Sequence, residues 1–345
     1  MLIKTSFKWP TWLMFVSSLW IANAYAGSVL SAGVFHVCGI KNDSTLICWG
    51  DNEYNQLNPP DGSFTQVSAG KYFNCALKTD GSLKCWGRDT AGETSPPPGQ
   101  FIQVEAGGNH ACALTHNGLP ICWGNNSSNQ LDFLPGPYQQ LALGDKHSCG
   151  LKKDSTVACW GSNGNGQSTP PAETTLSSIV AGYVTTCGIK TDPQIAICWG
   201  ATNQSYGYLT QIDFGIYINS LCGLKVDNTL NCPSMISIPR EVFTHVSVGG
   251  NNYSFACGIK TDGLVTCWGD NRSGRATPPN DIVLMLPDNV IIPSEALTAV
   301  IEPDLSIHIS KARYTTSILW VDLIFVGENE QGEMIWKLDN YGVVE

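Results

Sequence analysis

The residues best equipped for chemistry are fourteen cysteines, and their spacing is regular. They form seven pairs: Cys38 and Cys48, Cys75 and Cys85, Cys112 and Cys122, Cys149 and Cys159, Cys187 and Cys198, Cys222 and Cys232, and Cys257 and Cys267. Partners lie ten residues apart in six pairs and eleven in the fifth, and the first member recurs every 35–38 residues. Thiols in such an array either oxidise to disulfides or hold metal. The spacing speaks against zinc: there is no C-x-x-C, and a histidine two residues before the first Cys occurs only at His36, His110 and His147. No metal site, cofactor site or catalytic residue is assigned.

Oxidation requires elements that bring each pair face to face. In the second repeat, Phe64 to Ser68, Phe73 to Lys78 and Ser82 to Trp86 read as short strands, with Thr79, Asp80 and Gly81 as a three-residue hairpin loop. That loop sets Lys78 opposite Ser82 and therefore Cys75 opposite Cys85, within bonding reach across an antiparallel pair. Leu77 and Leu83 share one sheet face and Trp86 takes the other, so both faces are apolar, as in a sheet packed between copies of itself. Seven hairpin staples are predicted, each contributing about 2–3 kcal/mol through the short loop it closes.

Other residues keep the phase of the cysteines. Ala-Gly precedes the first Cys at Ala32, Ala69, Ala106 and Ala181, and Trp-Gly follows the second at Trp49, Trp86, Trp123, Trp160, Trp199 and Trp268. Six of the eight tryptophans beyond residue 26 thus hold one repeat position, which marks them as shared packing residues rather than ligand contacts. Repeats of this length with three or four short strands predict an all-β chain, a seven-bladed β-propeller with a small C-terminal β module.

The organisation follows. Residues 1–26 have a basic start at Lys4 and Lys8, an apolar stretch from Trp12 to Ala22, and small residues at Ala24 and Ala26, the pattern of a secretory signal peptide. Its removal takes two lysines from 19 basic residues facing 29 acidic ones, so the charge moves from −10 to −12. Residues 27–286 are assigned to the propeller and 287–345 to a small module or cap, with strands expected at Leu305 to Ser310, Ser317 to Val326 and Met334 to Leu338. Segments near Val29 and from Ile282 to Leu286 are expected to compete to finish the last blade. No stable membrane insertion is expected, and the acidity argues against nucleic acid. The chain is placed outside the cytoplasm, secreted or periplasmic; its oligomeric state has no signal in the sequence.

The run Ser68 to Gly87, and the tail Trp160 to Gln167 followed by Pro170 and Pro171, resemble the repeat of the regulator of chromosome condensation family, in particular its secreted, short-repeat bacterial branch, which includes the type II β-lactamase inhibitor protein. The resemblance spans roughly residues 28 to 285 and implies the propeller fold. The sixth repeat departs from it, with Cys232-Pro-Ser in place of Cys-Trp-Gly and no Asn and Gln tail, and the fifth carries Pro193 in its hairpin. Those two blades are expected to be short or irregular.

Chain direction puts the Ala-Gly loops and the Trp-Gly tails on one rim. The candidate partner-binding residues there are Phe35, Tyr54, Tyr72, Phe73, Asn109, Tyr183, Tyr217 and Tyr253. Variable aromatic and polar side chains on loops held by a rigid scaffold suit a protein partner. In the inhibitor that the chain resembles, the corresponding rim grips a target enzyme. A lectin-like role on a glycan or cell wall is the alternative. Propeller hydrolysis lacks its arginine cluster and paired carboxylates, so the chain is not read as an enzyme. Nucleotide exchange on a small GTPase is implied only by the family and is opposed by the signal peptide.

Overall fold

A computed structural model describes residues 28–215, 220–235, 237–251, 253–280 and 282–286, and the backbone of 297–301, 307–311, 318–328 and 334–344. The predicted signal peptide lies outside these residues. Among them no helix is long and apolar enough to cross a membrane.

Seven small antiparallel sheets follow one another along the chain. Blade 1 holds Leu30–Ala32, His36–Ile40 and Leu46–Gly50 (β1–β3), blade 2 Phe64–Ala69, Phe73–Lys78 and Leu83–Gly87 (β4–β6), and blade 3 Phe101–Ala106, His110–Thr115 and Pro120–Gly124 (β7–β9). Blade 4 holds Tyr138–Leu143, His147–Lys152 and Val157–Gly161 (β10–β12), and blade 5 Leu176–Ala181, Thr185–Lys190, Ile195–Gly200 and a fourth strand, Ser205–Tyr208 (β13–β16). Blade 6 is short, with Gln211–Phe214, Leu221–Leu224 and Leu230–Asn231 (β17–β19); blade 7 has Phe243–Gly250, Ser254–Lys260 and Val265–Gly269 (β20–β22).

The hairpins form as the sequence predicts. Gly81 adopts φ +80°, and the Asp80 carboxylate accepts from the Ser82 N–H and hydroxyl, which closes the turn locally. Cys75 stands opposite Cys85. All seven disulfides are present, with Cα–Cα separations of 4.0–4.2 Å, and no cysteine is free.

Each core cluster lies between two neighbouring blades. Phe73, Leu77 and Leu83 of blade 2 pack against Phe101, Val104 and Trp123 of blade 3, and the repeat tryptophan of every blade but the sixth enters the interface with the blade before it. The last such cluster joins Phe255 and Ile259 of blade 7 to Leu30 and Trp49 of blade 1. The ring is closed.

Closure corrects one expectation. The two chain segments do not compete for the last blade; they share the innermost strand of the first. Leu284 pairs with Lys41 and its N–H donates to Gly263 O, just as Phe64 pairs with Lys78 and Phe101 N–H donates to Gly81 O. Above it, Leu30 to Ala32 pairs with β2. The segment after the repeats thus begins the strand that the N-terminal segment finishes, and both bury apolar side chains in one cluster.

The C-terminal backbone forms a four-stranded antiparallel meander, Leu297–Ile301, Ile307–Lys311, Ile318–Glu328 and Met334–Val344 (β23–β26). It contains one strand more than the sequence predicts, the short run at 297–301, which does not alternate apolar and polar residues.

Candidate functional site

Blades 1, 2, 3 and 5 each turn at the same end of the sheet through two connections, the Ala-Gly loop and the tail after Trp-Gly. The loop needs glycine because the next blade crowds it: a Cβ on Gly70 would stand 2.6 Å from Gly107 O, and one on Gly107 would stand 2.5 Å from Gly144 O. The same rim is laced across blades by Val34 N–H to Gly70 O, Gly108 N–H to Gly144 O, and Gly250 N–H back to Gly33 O.

The tails are anchored by the tryptophans. Trp86 Nε1–H donates to Gln56 O of the preceding tail at 2.9 Å, and Trp123, Trp160 and Trp199 donate likewise to the carbonyls of Glu93, Gln130 and Gln167. Asn74, Ser148 and Thr186 bond to three of these same carbonyls. They also take up His36, His110 and His147, whose Nε2 atoms lie 2.7, 2.9 and 2.8 Å from Asn74, Ser148 and Thr186. These histidines are interblade struts. Burial pulls them below the ordinary imidazole value, to about 4, 3 and 4, so they are neutral. Among the described residues no three metal-ligating side chains gather.

Tail loss in blade 6 has a visible consequence. Only ten residues separate Cys232 from Phe243, against fifteen between Cys48 and Phe64, and among the described residues the buried Trp268 Nε1 has no acceptor. The similar loss in blade 5 does no such harm, because Pro233 stands where blade 6 would carry its tryptophan.

On this scaffold the candidate residues divide. Phe35 and Tyr72 stack with centroids 4.9 Å apart and an interplanar angle of 11°, and Tyr54 tilts against Tyr72, also at 4.9 Å. The Arg88 guanidinium lies 5.7 Å from the Tyr54 ring and 5.4 Å from that of Tyr72, with Lys71 5.5 Å from Tyr72. This half-buried cluster spans blades 1 and 2. Tyr253, 59 % exposed, carries Arg272 over its ring at 4.2 Å on blade 7. Tyr183 is exposed on blade 5, and Asn109 is half-buried on blade 3 with its carbonyl accepting from Asn125 N–H. Phe73 requires a correction: it is 1 % exposed and fills the blade 2–3 core, since it is the first residue of β5 rather than part of the loop. Tyr217 lies outside the described residues.

A second lining went unread in the sequence. The innermost strands enclose a central channel of about 590 Å³, walled by Ser31, Ser68, Glu105, Asp213 and Ser247 among others. Ala69, Ala106 and Ala32 donate their N–H groups to Ser31, Ser68 and Ser247 of the adjacent blade. Gln66 and Gln103 each clamp both the N–H and the C=O of the next blade's inner strand, at Val104 and Leu141. The signal was a Gln two residues after the aromatic that opens the repeat. Burial raises Glu105 to about 7 against bonds from Gln103 and Ser68, and raises Asp213 to about 6 against bonds from Val248 N–H and Ser247.

The repeat profile described as Regulator of chromosome condensation (RCC1) repeat matches residues 30–56, 64–93, 101–130, 138–167 and 243–275, that is blades 1 to 4 and 7. No curated protein sequence matches the chain. Among solved structures it is similar to the CRINKLY WD40 ectodomain of the Arabidopsis thaliana receptor kinase ACR4, with 25% identity over 75% of this chain and 98% of that one and a TM-score of 0.62. The entire ectodomain of the Physcomitrella patens receptor kinase CR4 gives 26% identity over 72% of this chain and 73% of that one, with the same TM-score of 0.62. Human WBSCR16, at 13% identity over 79% of this chain and 83% of that one with a TM-score of 0.52, shares the fold alone. The chain is thus a disulfide-stapled β-propeller, five of whose seven blades match the RCC1 repeat profile.

Proposed function

We propose that the protein is an exported, non-catalytic binding module that grips a partner protein with the rim formed by its Ala-Gly loops and tails. The observation that carries this reading is the cluster of Phe35, Tyr54 and Tyr72, three half-buried aromatic side chains packed against one another across two blades. Aromatic groups held rigid by neighbours lose little freedom on binding and are the usual anchors of protein interfaces. Export is supported by fourteen cysteines all engaged in disulfides, which persist in oxidising compartments, and by the ectodomain setting of the two receptor-kinase relatives. In this reading residues 1–26 are removed, 27–286 bind, and 287–345 form an attached module.

The test is capture of cell-envelope and secreted proteins by the oxidised chain, run beside a glycan array, with Tyr72→Ala and Phe35→Ala as variants. Protein capture that both variants lose is the expected result. Glycan binding that survives both variants, with no protein captured, overturns the reading in favour of a lectin. Phe73→Ala is unsuitable here, because it tests folding.

A further inference from the structure

Arg88 is a rim cation whose hydrogen-bonding capacity is largely unspent among the described residues. Its backbone N–H is tied to Tyr72 O at 2.9 Å, and its guanidinium lies over two tyrosine rings. Of its five donors, one is used, Nη2 to Thr90 Oγ1 at 3.3 Å. Among the described residues no carboxylate pairs with it. The other arginines of the tails differ: Arg272 is engaged by both oxygens of Asp270, and Arg275 is buried in an ion pair with the same carboxylate.

Two of the acids near Arg88 are directed elsewhere. Asp51 accepts from Glu53 N–H and from Gln56 Nε2 inside its own tail, and Asp89 accepts from Thr94 N–H. Glu53 is exposed at the edge of the cluster. Lys71 also lies against Tyr72, and its ammonium is pulled below the ordinary lysine value by burial first, with the charges of Arg88 and Lys146 lowering it further and that of Asp145 opposing them. In a chain of net charge −10, Arg88 and Lys71 therefore both stand against the Tyr72 ring.

A planar guanidinium with its fork open recognises a carboxylate through two parallel hydrogen bonds, and an aromatic plate beside it receives the aliphatic stem that carries the acid. We infer that the Phe35–Tyr72–Arg88 platform is the docking point for an acidic segment of the partner protein, an Asp or Glu carboxylate seated on the Arg88 fork with its neighbours lying over the Phe35–Tyr72 stack. This rests on the rim reading above and names the chemistry that the rim selects.

The experiment probes an array of ten-residue acidic peptides and their Asn and Gln isosteres with the full oxidised protein, and with Arg88→Gln and Arg88→Lys, each checked for seven intact disulfides. Retention is expected on the acidic peptides alone, weakening as salt is raised, about tenfold or more lower in Arg88→Gln and partly kept in Arg88→Lys, since one donated bond remains. Equal retention on the amide isosteres, unchanged binding by Arg88→Gln, or silence on every peptide while an anionic glycan is retained overturns the inference. Failure here is separable from failure of the rim: partner capture lost in Tyr72→Ala but intact in Arg88→Gln removes the acid preference and keeps the rim, whereas capture intact in both removes the two together.

Discussion

Trp49 and Arg275, 226 residues apart in sequence, are hydrogen-bonded, the indole N–H of the first blade donating to the backbone carbonyl of the seventh blade's tail at 3.1 Å. It is the same bond that joins Trp86 to Gln56, but here it closes the ring. Where other tails bury Gln or Glu, this one buries an arginine, 2 % exposed, which donates Nη1–H to Val34 O of blade 1 at 3.0 Å, lies over the Phe255 ring at 5.2 Å, and pairs with Asp270. One side chain thus ties both ends of the propeller.

Arg275→Ala is therefore expected to destabilise the oxidised protein by about 2–4 kcal/mol, because it empties a buried volume and frees Val34 O, while Asp270 keeps its bonds from Arg272. Arg272→Ala, whose side chain is 56% exposed, is expected to change stability by about 1 kcal/mol or less. Denaturant titrations of the two variants under non-reducing conditions make the comparison.

Trp86→Phe removes a packed ring and a bond to Gln56 O, whereas Trp268→Phe removes a ring whose N–H had no acceptor among the described residues. Unfolding experiments should find the first costlier than the second by about 1 kcal/mol, the net worth of one hydrogen bond, since Gln56 O keeps its bond from Asn74. Equal costs would show that Trp268 is satisfied by solvent.

Proteolysis of the non-reduced chain followed by mass spectrometry should recover seven linkages, each within one hairpin. The double replacement of Cys75 and Cys85 by Ser should lower stability by about 2–3 kcal/mol in the chain-entropy account of a ten-residue loop.

Glu105 keeps its proton to about 7 in the folded channel, against an ordinary value of 4.5. The folded state thus holds more protons than the unfolded one between those values, and the stability Glu105 contributes is complete below 4.5 and lost as pH rises through 7. Glu105→Gln should accordingly gain stability relative to the parent as pH is raised from about 5 to about 8. Asp213 acts in the same direction. His36, His110 and His147 act oppositely, contributing fully above 6.5 and losing that contribution as pH falls toward 4. Melting temperatures of the two proteins across this range provide the check.

Much of this molecule was legible before its structure. A ten-residue spacing with Thr79-Asp80-Gly81 between the strands admits one register, so the Cys75–Cys85 pairing follows from counting. Recurrence at a fixed phase then implies copies of one sheet, because a unit of this length cannot bury both of its apolar faces alone. Tail loss in the sixth repeat was equally plain, although its effect on Trp268 was not, since that effect belongs to the neighbouring blade.

What escaped the sequence is whatever depends on two repeats meeting. Phe73 and Tyr72 are adjacent aromatics, yet one fills a core and the other stands on the rim, because strand β5 begins between them and alternation sends them apart. Gln66 looks like a solvent residue until the next inner strand arrives beside it. Local chemistry, which is short-ranged along the chain, determined the hairpins, their bonds and their number. Only the meeting of neighbouring blades decided which side chains face each other, and so placed Phe35 on Tyr72 and Arg88 over Tyr72 and Tyr54.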